Sequence, residues 1–551
     1  MNTIQRFESQ AALFASRPSR LTLLGQPEIG TDAPLVTVNV WRNHGFESLV
    51  PLAAPYFSFG GGRAEFRISD YDDILTFTEH RPADAELLWL DSSRITLPFA
   101  DWCTWLEGRI RVLRAATTAP ILLATWCADP KNGAVLQTLS DSIPAVYFAD
   151  LAAACSDAKV PLLDKRSSGL TGSPLSNAAQ VILARKLACH WLPGALRPPI
   201  KAVALDLDNT LHAGVLGEDG IDGVQLTPGH AALQRYIKSL QKRGIFIALV
   251  SRNERPDVEA LFAQRPDYPL RWDDFSAIEV SWGDKAAAIT RITQTLRIAP
   301  DAVLFVDDNP GELASVTRQH PQTHTVYAPP EANQTLQAIH FYPGLWRWKV
   351  ESDDTKRIAD LQAGAEREAL AKSITDPAEY FRSLQVTLLY RHDPVEQLTR
   401  LADLCHKTNQ FNLALRRLNQ SDLAQRLGGS NACVTSVQLT DRLSDSGVIA
   451  VIVAERRGAQ LVVEELCVSC RAMGRNLEDS IILPALRGMP IFVGCQEVIF
   501  RVEHGPRNQP ALNWLAQLLE LKAPPDPGHH LIPAQRLIDF IPAAGVTLTQ
   551  A

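Results

Sequence analysis

No run of about 18 apolar residues occurs anywhere in this 551-residue sequence, which leaves it without a candidate membrane-spanning helix. The N-terminal stretch MNTIQRFESQAALFASRPSR also lacks the continuous apolar core of a secretion signal, so a cytoplasmic protein is expected. Cysteine is sparse and odd in number, nine in all, which excludes a disulfide scaffold and suits a reducing compartment. The one close pair, Cys467 and Cys470, has no second Cys or His pair at zinc-site spacing, so neither zinc nor a redox dithiol is assigned to it. A surplus of positive charge is missing too. Lys and Arg total 54 against 61 Asp and Glu, interspersed and net −7, which leaves no footprint for nucleic acid or an anionic membrane. Internal repeats and low-complexity tracts are absent. What remains is ordinary globular composition, 46% hydrophobic and 21% charged, over a length that suits about three domains.

Two breaks divide the chain. Trp191 to Lys201, WLPGALRPPIK, carries three prolines that should stop a helix just before a new apolar run. A charged stretch from Lys349 to Lys372 then reads as a connecting helix before a fresh strand at Val386–Arg391. The expected division is an N-terminal α/β domain over 1–195, a central domain over 196–345 and a C-terminal α+β domain over 375–551. In the first segment the apolar runs 35–41, 64–69, 86–91 and 121–126 alternate with helical patterns, the mark of βαβ units on a mainly parallel sheet. Asp91, Ser92 and Ser93 end one of these strands. They read as a capping turn, and no catalysis is assigned to them.

The central segment carries the chemistry. KAVALDLDNT (201–210), GIFIALVSRN (244–253) and APDAVLFVDDN (299–309) are apolar runs that each end in polar residues, as parallel strands do when their C-terminal ends line one crevice. Asp206 and Asp208, two residues apart in extended chain, project to one side, so one can attack while the other handles a proton. Asp307 and Asp308 add charge that repels unless a cation intervenes, and hard, oxygen-seeking Mg²⁺ suits such a set. Ser251 can hydrogen-bond a phosphoryl oxygen, and Lys285 can balance charge in a phosphoryl-transfer transition state.

The ordered set Asp206-Leu-Asp208-Asn209-Thr210, Ser251, Lys285 and Asp307-Asp308 resembles the four motifs of haloacid-dehalogenase-like phosphotransferases. DLDNTLHAGVLGEDG (206–220), VSRNE (250–254) and FVDDNPGE (305–312) narrow the resemblance to the FkbH-like branch, associated with loading a glycolytic three-carbon acid onto acyl carrier proteins. The resemblance implies Asp206 as nucleophile, Asp208 as general acid/base and a backbone metal ligand, and Lys285 as charge stabiliser. Thr210 and Ser251 would bind the substrate phosphate, Arg252 and Asn253 are further substrate-binding candidates, and Asp206 with Asp307 or Asp308 would hold Mg²⁺. Two departures stand out: His212-Ala213 replaces a usual Trp-Gly, and SWGDK (281–285) replaces Trp-x-Pro-Lys surroundings. His212 is a candidate contact for a substrate carboxyl or phosphate, with a packing histidine as the alternative.

Toward the C-terminus, KTNQFNLALRRL (407–418) reads as a helix, 434–455 as two strands turned at Asp445-Ser446-Gly447, and 459–486 as a strand followed by a helix. Arg471, Gly474 and Arg475 lie where that last helix should start, a place where backbone N–H groups receive phosphate. The loop resembles the pyrophosphate loop of GNAT-type acyltransferases, and KTNQFN with the SCRxxGR pattern resembles the C-terminal half of the FkbH-like proteins. Arg471, Gly474, Arg475 and Asn409 are therefore candidate contacts for a carrier's phosphopantetheine. Cys470, beside Arg471 at a helix start, is a candidate acyl-carrying thiolate, with a packing cysteine as the alternative. The resemblance implies an Mg²⁺-dependent enzyme that dephosphorylates a phosphorylated three-carbon acid such as 1,3-bisphosphoglycerate and loads the glyceryl group onto an acyl carrier protein in polyketide or related natural-product biosynthesis. Two alternatives are a small-molecule phosphatase without acyl transfer and a non-catalytic carrier-binding module.

Overall fold

The computed structural model describes residues 3–27, 30–78, 80–164, 172–350 and 352–551. The chain forms two compact units, residues 1–350 and 351–551. Among the described residues, no helix is long and apolar enough to cross a membrane.

The first unit holds two five-stranded parallel sheets. In chain order the first is built from β1 (Leu35–Arg42), β2 (Arg63–Tyr71), β3 (Ala85–Trp89), β4 (Ile121–Thr125) and β5 (Val146–Asp150), arranged 2-1-3-4-5. The second comprises β6 (Ala202–Leu205), β7 (Phe246–Ser251), β8 (Ala277–Val280), β9 (Val303–Asp307) and β10 (His324–Tyr327), arranged 10-9-6-7-8. Every residue of β6, β7 and β9 is buried, because helices cover both faces, which is why these strands read as unbroken apolar runs. This is the expected α/β, Rossmannoid architecture, and a continuous core runs through the unit from Trp89 and Tyr56 to Leu205 and Tyr342. Asp91 is a cap: its carboxylate accepts from Ser93 N at 2.9 Å and Ser93 Oγ at 2.6 Å.

The proline-rich break behaves differently from expectation. Helix Asn177–Lys186 passes through a wide π turn, Leu187–Trp191, into a further helical turn, Leu192–Leu196. Pro193 stands in the first turn of that last piece, where a missing N–H costs little.

The second unit is α+β. Its mixed sheet comprises β11 (Thr387–His392), β12 (Ala432–Thr440), β13 (Asp445–Arg457), β14 (Gln460–Val468), β15 (Glu497–Val502), β16 (Gly528–Pro533) and β17 (Thr547–Gln550), arranged 16-15-14-13-12-11-17. β11 to β14 are successively antiparallel, whereas β14 and β15 run parallel. Helix Ser352–Ser373 precedes them, as the charged stretch suggested.

Two sequence-based expectations fail here. The helix expected over 407–418 instead ends at Lys407, and the chain continues without regular structure, with Leu415 and Arg417 at positive φ. Arg417 anchors this loop by donating to the carbonyls of His406 and Thr408 and to Asn409 Oδ1. The β12–β13 turn is Asp441–Ser444, closed by Asp441 N to Ser444 O and by the Asp441 carboxylate, so Asp445-Ser446-Gly447 lies inside β13, opposite a register shift.

Candidate functional site

The carboxyl ends of β6, β7 and β9 bring the motif residues together. Asp206 follows β6, Ser251 closes β7, Lys285 begins the helix after β8, and Asp307 closes β9. Lys285 Nζ lies 2.8 Å from Asp206 Oδ1 and 2.6 Å from Asp307 Oδ2, and all three side chains are buried. Asp307 also accepts from Asn309 N at 2.8 Å. Burial, then the neighbouring Asp307 charge, pushes the Asp206 carboxyl well above the usual carboxylate range, and burial raises Asp307 to about 6 against the pull of Lys285. Burial raises Asp308 as well. Carboxylate oxygens of Asp206, Asp307 and Asp308 lie within 4.8 Å of one another. One ammonium cannot neutralise three carboxylates, and an all-oxygen set this close suits a hard divalent cation, so the residues present fit Mg²⁺.

Asp208 is held from three sides. Leu216 N donates to Oδ1 at 2.9 Å, Asn253 Nδ2 donates to Oδ2 at 2.7 Å, and His212 Nε2 stands 3.2 Å from Oδ1. Burial would raise this carboxyl, but the bonds from His212, Leu216 and Asn253 outweigh it and hold it below the usual range. Asn209 turns the chain at φ 52°, and its Oδ1 accepts from Gly214 N at 3.0 Å. Thr210 Oγ1 is buried without a partner, leaving a hydroxyl ready for a phosphoryl oxygen. Arg252 stands at the rim, ion-paired to Glu312 at 2.8 Å.

Two of the expected substrate contacts are differently employed. Asn253 also donates to Ser251 Oγ at 3.0 Å and so ties the second strand to Asp208. His212 is fully buried and turned onto Asp208. Its four-residue offset from Asp208 was visible in the sequence; the turn that closes the pair was not.

In the second unit, Cys470 is half-buried in the turn between β14 and helix Glu478–Arg487. The arginines expected to meet phosphate are engaged inward. Arg471 Nη1 donates to Asp353 O at 3.2 Å, and burial, then Arg400 and Arg357, lowers its guanidinium to about 9. Arg475 pairs with Asp360 at 3.0 Å and Asp441 at 3.2 Å. Gly474 has a positive φ, 74°, and its N–H faces Glu478 Oε1 at 3.4 Å. These partners correct the expectation of a loop open to phosphate. Cys467 is fully buried and its thiol points to Glu465 Oε1 at 3.6 Å, apart from Cys470.

β14 and β15 pair only through Gln460–Val463 and Glu497–Phe500. Beyond that, the segment from Phe411 to Leu413 lies between them. Val468 N donates to Phe411 O at 2.9 Å, Leu413 N to Leu466 O at 3.3 Å, and Glu503 N to Leu413 O at 2.8 Å. Asn409, expected to meet the carrier, is fixed by Arg417 at 2.5 Å.

No protein-family model and no curated protein matches the chain. Among solved structures it is similar to the N-terminal part of the protein BF1531 from Bacteroides fragilis, which contains a phosphatase domain and was solved with Mg. That similarity has 19% identity and a TM-score of 0.47, over 62% of this chain and 99% of that one. A HAD-like family hydrolase from Porphyromonas gingivalis matches at 17% identity and a TM-score of 0.21, over 26% of this chain and 96% of that one. A fungal GCN5-related glucosamine N-acetyltransferase region matches at 12% identity and a TM-score of 0.18, over 94% of this chain and 67% of that one.

Proposed function

We propose that the chain is an FkbH-like, Mg²⁺-dependent phosphatase and glyceryl transferase. It would act on a phosphorylated three-carbon acid such as 1,3-bisphosphoglycerate and load the acyl group onto an acyl carrier protein in natural-product biosynthesis. The observation that carries the reading is the buried Asp206–Lys285–Asp307 arrangement beside a separately oriented Asp208. Asp206 attacks the phosphorus of the C3 alkyl ester, breaking its bond to the alkyl oxygen and forming an aspartyl phosphate while the acyl phosphate stays intact; Asp208 gives a proton to the departing oxygen and later takes one from water. Thr210 and Ser251 hydroxyls hold phosphoryl oxygens, and Lys285 offsets their charge. Asp206 and Asp307 or Asp308, with the Asp208 carbonyl, would hold Mg²⁺, which supplies Lewis-acid neutralisation of phosphoryl charge. In the second unit the Cys470 thiolate would attack the acyl carbonyl, expelling the acyl phosphate as phosphate, and the carrier's pantetheine thiol would then take the acyl group. The nine free cysteines fit a cytoplasmic setting.

A second reading, phosphatase action without acyl transfer, is favoured by the inward pairing of Arg471 and Arg475 and by the segment filling the opening between β14 and β15. Phosphate release and intact-mass analysis of holo carrier proteins, measured together, separate the two. Asp206→Asn should abolish release with the fold intact, since an amide keeps the shape but cannot accept a phosphoryl group. Wild-type turnover in that variant would refute the phosphoryl-transfer reading, and release without any carrier mass gain would select the second.

A further inference from the structure

β2 (Arg63–Tyr71) is one edge of the first sheet and is nine residues long, whereas the other edge strands, β5, β8, β10, β16 and β17, run only four to six. Short edges, prolines and bulges are how a sheet keeps other chains from pairing with it. β2 has none of these between Arg63 and Ile68, where its register against β1 is unbroken. Arg63 N donates to Pro34 O at 2.8 Å and Ser69 O accepts from Arg42 Nε at 2.9 Å, so the odd-numbered residues turn their backbone groups toward β1. The alternation of a parallel ladder then turns the N–H and C=O of Ala64, Phe66 and Ile68 outward, and among the described residues no loop backbone reaches them.

The side chains of this edge select what can pair with it. Glu65 and Arg67 lie on one face, and Ala64, Phe66 and Ile68 lie on the other, packed partly into the core. A parallel copy in register would set Glu65 against Glu65 and Arg67 against Arg67, which repels. An antiparallel copy centred on Phe66 instead sets Glu65 opposite Arg67 twice, Ala64 opposite Ile68 twice and Phe66 opposite itself. The same register suits the backbone, because the residues with outward groups then face one another as hydrogen-bonded pairs and supply about six N–H···O bonds. Within one chain Arg67 Nε already lies 3.3 Å from Glu65 Oε1, but both side chains are part-exposed and two positions apart along the strand, a weak pair and a longer span than directly across an antiparallel ladder. We infer that β2 is a dimer surface, on which a second copy of this chain adds its own β2 antiparallel about a two-fold axis at Phe66 and joins the two first sheets into one. Each β2 has one free edge, so the contact is isologous and closes at two chains.

Sedimentation equilibrium on the full chain tests this. The mass should rise from one chain to two between about 1 and about 100 µM protein. Glu65→Arg sets like charges across both charged pairs and should weaken association by about tenfold or more, and Arg67→Glu should do the same. Combining Glu65→Arg with Arg67→Glu exchanges the signs and should restore association to within about threefold of wild type. Hydrogen exchange gives a second readout: the Ala64, Phe66 and Ile68 amides should exchange more slowly at high than at low wild-type concentration, and the difference should vanish in Glu65→Arg. A wild type that stays a single chain, a mass that climbs past two chains, a dimer indifferent to both single variants, or a double variant that does not re-associate would each overturn the inference. Where the single variants do not fold, exchange at Phe66 in the wild type decides, and a rate independent of concentration overturns it.

Discussion

At the residue scale, the crevice stores unfavourable charge that a cation relieves. Asp307, raised from an ordinary 3.8 to about 6 by burial, is protonated in both folded and unfolded chains only well below pH 4. As pH rises through about 6, the unfolded chain has already ionised and the folded one must ionise a buried group. The stability contribution is therefore complete below about pH 4 and lost above about pH 6, at a cost of about 3 kcal/mol for a shift of about two pKa units. His44, His324 and His340, held down to about 3 or 4 by burial, push stability the opposite way, so the comparison that isolates the effect is with Asp307→Asn. In chelator, the wild type should lose about 3 kcal/mol relative to Asp307→Asn between about pH 3 and about pH 8 by denaturant unfolding. Saturating Mg²⁺ should flatten that difference, and a flat difference in chelator would contradict the charge-storage account. The acidic residues themselves were legible because they punctuate apolar strands in a fixed order. The roles of His212 and Asn253 were not, since hydrogen bonds to Asp208 depend on how the 209–216 turn and the end of β7 come together in space.

At the element scale, helix Ser352–Ser373 and the hairpin of β12 and β13 show why turn-rich sequence misled. Gly447 has φ 67°, as a turn glycine would, but it sits inside β13, where an added Cβ would lie 2.5 Å from Asp353 Oδ1. Asp353 cannot simply move aside: it pairs with Arg400 at 3.2 Å and accepts from Val448 N at 2.8 Å. The glycine thus marks a close approach of helix to strand, which residue type alone cannot tell from a turn. Gly447→Ala should cost about 2–4 kcal/mol, combining an unfavourable left-handed conformation with overpacking, and should lower the denaturation midpoint of the second unit. An unchanged midpoint would mean that Asp353 yields freely. The missed loop after Lys407 has the same origin. Its backbone finds partners on β14 and β15, more than 50 residues away in sequence, and no local periodicity announces them. By contrast, β6, β7 and β9 were readable because burial on both faces writes itself as continuous apolar sequence.

At the scale of the whole molecule, the residues proposed to handle phosphate all belong to residues 1–350 and Cys470 to residues 351–551, so the two proposed half-reactions should separate by point substitution. If the Cys470 thiolate carries the acyl group, Cys470→Ala should keep Mg²⁺-dependent phosphate release at the Asp206 crevice and lose carrier loading. The wild type should then show a hydroxylamine-sensitive mass adduct localised to Cys470. If Cys470 only packs, its replacement leaves a small cavity costing on the order of 1–2 kcal/mol, and loading persists in a less stable protein. Direct attack by the pantetheine thiol on the acyl donor would also leave the variant competent. The segment Phe411–Leu413 already occupies backbone groups of β14 and of Glu503, just past β15. The deciding measurement is loading by folded Cys470→Ala at saturating carrier. Near-wild-type loading would remove Cys470 from the mechanism while leaving the Asp206 chemistry untouched.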